Sequence, residues 1–171
     1  MLKTPDEMEW RMHSSQGDDR SVLADEGAAM GDIAPRELIS LADDEGNSVT
    51  VNVLGRDPRW SAGLEAEITV RTPFVSGRIN LVLSTSKLES WATALNLLDT
   101  DEDVVWMEWD RGPSISIQLT GERDCPEVTV EDESGSMVTV RVPLVPPDDW
   151  IADHRQRLHQ VMNHWVPMLS E

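Results

Sequence analysis

The chain has 171 residues, 39% of them hydrophobic, and a net charge of −18 with a pI near 4.4. A chain of this size forms one domain that buries roughly two thirds of its unfolded surface, and no apolar run approaches the roughly 20 residues of a membrane helix. Such a field repels nucleic acid and anionic membrane, which are bound through Lys and Arg, and it attracts basic partners.

Residues 1–34 read as a flexible acidic tail. Ser14–Asp19 and Asp25–Ala29 are polar or small with no sustained period, and such a segment buries too little apolar surface to offset its ordering entropy. Met8, Trp10 and Met12 either form a small docking motif or brush the folded domain, and Met30 offers an alternative start of translation. The N-terminus has no apolar stretch of signal-peptide length, and Cys125, the one cysteine, has no intrachain partner, so a cytoplasmic location is expected.

From residue 35 the pattern turns to strands. Glu37–Leu41 alternates, with Leu38 and Ser40 on one face and Ile39 and Leu41 on the other. Asp43–Asn47 is a polar turn with Gly46. Val49, Val51 and Val53 face inward on the next strand. After a loop over Arg56–Gly63, Leu64–Arg71 and Arg78–Leu83 form a pair joined through Thr72–Gly77. Ser86-Lys87-Leu88-Glu89 fits a capping box, with Leu88, Trp91, Ala92, Leu95 and Leu98 on one face of the helix it opens. Asp99–Asp103 then reads as a solvated loop, since acids sit poorly at a helix C-terminus.

The second half repeats this order. Val104–Trp109 is apolar on both faces, as expected of an interior strand. Ser114–Leu119 alternates with Ile115, Ile117 and Leu119 inward, and Glu127–Val130 and Met137–Val142 make a hairpin around Asp132–Gly135. Pro146-Pro147-Asp148 opens a last helix with Asp148 as its cap. Ile151, His154, Leu158, Val161, Met162 and Trp165 line its inner face, and Pro167 ends it. The stretches Glu67–Val70 and Glu127–Val130 mark the repeat, at a spacing that defines architecture.

The fold class is therefore α+β: two tandem repeats of four strands and a helix, residues 35–100 and 101–171, in one domain. Short connections favour antiparallel neighbours, and the two helices cover the sheet. One curved sheet, two sheets and an open barrel all fit this pattern.

Catalytic groups are sparse. His154, His159 and His164 share the last helix, and neither Cys125 nor any serine sits in a nucleophile motif. Asp149 and Asp153 lie on one helical face, but Arg157 continues that stripe, and His159 and His164 are too far round the helix to share a metal. The runs Asp99–Asp103 and Glu131–Glu133 lack the order of a calcium loop and read as solvated charge. No phosphate loop is present. No cofactor, no metal and no catalytic residue is expected.

The charge is uneven. Residues 1–35, 36–100 and 101–171 carry −5, −3 and −10. The expected binding residues are Asp101, Glu102, Asp103, Trp106, Glu108, Trp109 and Asp110, aromatic anchors among acids that suit an interface with a basic protein. The competing reading puts Trp106 and Trp109 in the core, where strand tryptophans are usually buried.

The segments Leu41–Val49, Val53–Arg56, Phe74–Arg78, Trp106-Met107 and Val140–Leu144 through Asp149-Trp150-Ile151 resemble an uncharacterised domain family typical of actinobacteria. The likeness spans about residues 37–165 and implies a single domain of actinobacterial origin. It carries no catalytic motif.

The leading expectation is a non-enzymatic acidic partner of a basic protein, in the form of an immunity or inhibitor protein that covers a cationic cleft. Two other classes stay open. One is a small-molecule-binding or enzymatic domain with a pocket between sheet and helices, built on His154 or a Trp-lined cavity. The other is a structural subunit of a larger assembly. The oligomeric state is left open.

Overall fold

In the computed structural model the described residues are 34, 36–108, 112–133 and 135–170. The segment read as a tail, with Met8, Trp10, Met12 and Met30, lies outside them apart from Ala34. Backbone contacts divide the chain between Asp32 and Ile33, and the described residues belong to the unit Ile33–Glu171.

The elements follow in the expected order: β1 (Glu37–Ala42), β2 (Ser48–Arg56), β3 (Gly63–Arg71), β4 (Ser76–Ser84) and α1 (Thr85–Leu98). Then come β5 (Val104–Trp106), β6 (Ser114–Gln118), β7 (Glu127–Asp132), β8 (Val138–Pro143) and α2 (Trp150–Trp165). A short 3₁₀ turn, Val166–Ser170, carries Pro167. The strands form two separate antiparallel meanders, β1-β2-β3-β4 and β5-β6-β7-β8, each followed by a helix. The fold is α+β.

The Val residues of β2 set the register of the first sheet. Val49, Val51 and Val53 stand opposite Val70, Ile68 and Ala66 of β3, and all six are buried. A one-residue slip would turn this whole set into solvent. β1 departs from strict alternation because its register shifts between Glu37 and Ile39, which lets Leu38 and Ile39 both enter the core. A second shift between Val53 and Gly55 puts Leu54 at the surface.

Side-chain oxygens close the hairpins. Asp43 Oδ1 accepts the N–H groups of Glu45 and Asn47, each at 2.9 Å. Asp57 Oδ1 accepts those of Arg59 and Trp60, and Thr72 Oγ1 those of Phe74 and Val75. Asp132 accepts the N–H groups of Gly135 and Ser136. The N–H of Arg59 first, then the Arg59 side chain and Trp60 N–H, hold the Asp57 carboxyl below its usual 3.8 against the opposing effect of burial. The Ser136 N–H and hydroxyl do the same for Asp132. Asp132 is buried and so is no part of a solvated run.

Both helices begin away from the predicted caps. At α1 the cap is Ser84, the last residue of β4, whose Oγ accepts Lys87 N–H at 3.3 Å. Strand runs straight into helix, so Ser86 already lies in the first turn and bonds the Ser84 hydroxyl instead. α2 is capped at Asp149 rather than Asp148, with no side-chain bond to the helix. On α1 the expected Leu88, Trp91, Leu95 and Leu98 are buried, with Ala94 in place of the half-buried Ala92, and on α2 His154, Leu158 and Val161 are buried while Ile151, Met162 and Trp165 are half-buried.

β5 corrects the expectation of an interior strand. It has three residues, pairs among the described residues only with β6, and exposes Val105. Met107 at φ 65 turns the chain out of the sheet, a conformation costly for a non-glycine residue. One apolar core joins both sheets and both helices. At its centre the rings of Trp91 and Trp106 lie 5.3 Å apart.

The repeat is geometric as well as textual. Thr69 stands opposite Arg78, and Glu67 reaches that Arg diagonally at 3.9 Å. In the second sheet Thr129 stands opposite Arg141, and Glu127 reaches it at 3.8 Å.

Candidate functional site

The described residues among the seven expected to bind do not form one patch. Asp101, Glu102 and Asp103 are exposed on the loop between α1 and β5. Glu108 is exposed beyond the other end of β5. A three-residue strand covers roughly 10 Å, so the two sets face opposite ends of the second sheet. Trp106 is a correction: it is 1% exposed, and its Nε1–H donates to the Lys87 carbonyl and the Ser90 hydroxyl. It packs the core and is closed to a partner. Trp109 and Asp110 lie outside the described residues.

The register of the second sheet gathers other acids around Asp101–Asp103. Val104 pairs with Ile117, Gln118 with Glu127, and Glu127 with Pro143. The loops 99–103 and 119–126 therefore leave the same end of the sheet. They carry Asp99, Asp101, Glu102, Asp103, Glu122 and Asp124, with Arg123 as their one basic residue. Two of these carboxylates have internal work. Asp103 Oδ1 accepts Leu119 N–H at 2.8 Å, and Asp99 bridges Arg155 of α2 at 3.0 Å.

Next to this end lies a groove of about 710 Å³. The hairpin tips of the first sheet form one wall, with Asp43, Asp44, Glu45, Thr72, Pro73 and Phe74. The other wall comes from the β6–β7 loop and the end of β8, including Arg123, Cys125, Arg141, Pro143 and Val145. Phe74 is 95% exposed and Val145 64%. Arg141 is held between Glu122 and Glu127, each at 3.8 Å, so its charge is compensated locally. Sequence reasoning passed over Phe74 because it sits in a turn. The available signal was that the chain's one Phe follows Thr72-Pro73, residues that fix a turn and aim its tip outward.

His154 is a packed residue. Its Nδ1–H donates to the Trp150 carbonyl and its Nε2 accepts Ser40 N–H at 2.9 Å. Burial pushes its pKa below the usual 6.5. With both nitrogens committed, it has no lone pair to offer a substrate or metal. Asp153 likewise bonds Arg157, which also reaches Glu37 of β1. Among the described residues no three His, Cys, Asp or Glu side chains converge as a metal site, and no helix is long and apolar enough to cross a membrane.

No curated protein and no solved structure matches the sequence. A family model, described as a family of unknown function (DUF5959), matches residues 36–166, a span that takes in both sheets, the groove and α2. The chain belongs to that family of unknown function.

Proposed function

We propose that this chain is a non-enzymatic binding domain for a basic protein, acting in the cytoplasm. The observation that carries the reading is the gathering of Asp101, Glu102, Asp103, Glu122 and Asp124 on the two loops at one end of the second sheet, the second of which shares a groove with the acidic tips Asp43–Glu45. An excess of acids on adjoining loops steers an oppositely charged partner and raises its encounter rate. Apolar side chains beside them supply the desolvated contact that holds it. In its sharper form the partner is a toxin or nucleic-acid-binding protein, and the acids stand where phosphates would, as in an immunity or inhibitor protein.

Affinity capture on the immobilised full chain tests this. Captured proteins identified by mass spectrometry are expected to be strongly basic and to elute as salt rises, because screening weakens exposed charge pairs. Recovery of no basic protein at low salt contradicts the reading.

The commitment of both His154 nitrogens weighs against the enzymatic alternative built on that residue.

A further inference from the structure

We propose that the groove between the hairpin tips of the first sheet and β8 is the docking site for an extended, Lys- or Arg-rich segment of the partner, which lays an apolar side chain against Phe74 and Val145. The inference rests on the reading that the partner is basic, and it names where and how that partner is held.

Phe74 is the most exposed large apolar side chain among the described residues, at 95%. The turn that carries it is held firmly. Thr72 Oγ1 accepts Phe74 N–H at 3.1 Å and Val75 N–H at 2.8 Å, and Thr72 N–H donates to the Val75 carbonyl at 2.7 Å. A ring on a fixed turn makes contact with little backbone entropy left to lose. Across the groove Val145 follows Leu144, which is buried and bonds through its N–H to the Pro126 carbonyl at 3.0 Å. Both apolar groups are thus presented by anchored backbone.

Charge and edge geometry select the occupant. Asp44 and Glu45 are exposed on the rim, while Asp43 folds its turn. Of the two arginines that line the groove, Arg141 is compensated by Glu122 and Glu127, and Arg123 is exposed on the wall across from the acidic rim, so a basic segment is drawn to the Asp44–Glu45 side. A second copy of this chain is a poor occupant, since each copy carries −18 and a two-fold contact sets like rims together. Among the described residues β8 pairs only with β7, so its outer edge along the groove is open to an added extended segment. Pro143 withholds one N–H there, which limits such pairing to a short stretch.

Fluorescence anisotropy on the full chain tests the proposal with two probes, a short peptide of alternating lysine and leucine and a lysine-only peptide of the same length. The mixed peptide is expected to bind about tenfold more tightly, the scale of one well-placed apolar anchor. Phe74→Ser should abolish that excess and leave the thermal melt unchanged. Met137→Asn, an exposed apolar site just before β8 at its other end, should leave the excess intact. Equal affinity for both probes, or an excess that survives Phe74→Ser, overturns the groove while the basic-partner reading stands on the lysine-only binding. Failure of both peptides to bind overturns both.

Discussion

The backbone N–H of Ser40 on β1 donates to Nε2 of His154 on α2 at 2.9 Å. The opposite ring nitrogen donates to the Trp150 carbonyl, which fixes the tautomer. The ring lies edge-on to Trp91 and Trp150, with Asp153, Arg157 and Glu37 as the charged groups around it. A proton on Nε2 would displace the Ser40 N–H and charge a buried ring.

Acid should therefore weaken the fold through His154. Its folded pKa lies below 6.5, so the unfolded chain takes up the proton first. The contribution is complete above 6.5 and is lost as pH falls toward the folded value. Urea unfolding of wild type and His154→Leu across this range isolates it from the carboxylates. The stability gap should narrow as pH falls below 6.5, and a gap independent of pH contradicts the account. At neutral pH the substitution should cost about 1–3 kcal/mol, since it leaves the Ser40 N–H unpaired.

The two core tryptophans should differ on truncation. Trp106 Nε1–H has two acceptors, whereas Trp91 Nε1–H has none among the described residues. Both Trp→Phe changes shrink a buried ring, so the packing losses are alike. Trp106→Phe should be the worse by about 1 kcal/mol, the net worth of a buried hydrogen bond. Chemical denaturation of the two variants measures the difference.

Two glycines, one in a loop and one at a bulge, should respond in opposite directions. A Cβ at Gly121 would stand 2.7 Å from Glu127 Cβ and 3.1 Å from the Cys125 carbonyl, both fixed atoms. Gly121→Ala should destabilise by about 1–3 kcal/mol. At Gly55, on the β2 bulge, nothing lies within 4 Å, and Gly55→Ala should be neutral or stabilising by up to about 1 kcal/mol. Thermal melts of the pair check both.

Thr72 should matter to the groove as well as to the turn. Thr72→Val removes the acceptor of two N–H groups while keeping side-chain size. It should cost about 1 kcal/mol and weaken the mixed lysine–leucine peptide more than the lysine-only one. Equal weakening of both would mean that Phe74 is not the anchor.

The fold was legible where one residue type had one use. The Val49-Val51-Val53 alternation and the repeated Glu-x-Thr before an Arg could only be strands with one buried face. The capping error at α1 came from two serines two residues apart, since only tertiary structure decides that β4 runs on to Ser84. β5 misled because buried Val104 and Trp106 enclose an exposed Val105, and three residues are too few to separate a buried strand from an edge. The site was legible as charge but not as place. Asp101 and Glu108 are near in sequence and apart on the sheet, whereas Asp44 and Arg123 line one groove only because the two meanders pack together. Sequence spacing carries no record of that packing.

Binding of the lysine-only peptide by two variants of equal net charge tests the central claim most directly. One neutralises the gathered end through Asp101→Asn, Glu102→Gln, Glu122→Gln and Asp124→Asn. The other neutralises acids elsewhere through Glu65→Gln, Glu89→Gln, Glu108→Gln and Glu133→Gln. The account predicts that the first weakens binding about tenfold or more, each tenfold being about 1.4 kcal/mol, and flattens its salt dependence, while the second stays near wild type. Equal weakening by both would show that only total charge counts, and would contradict it.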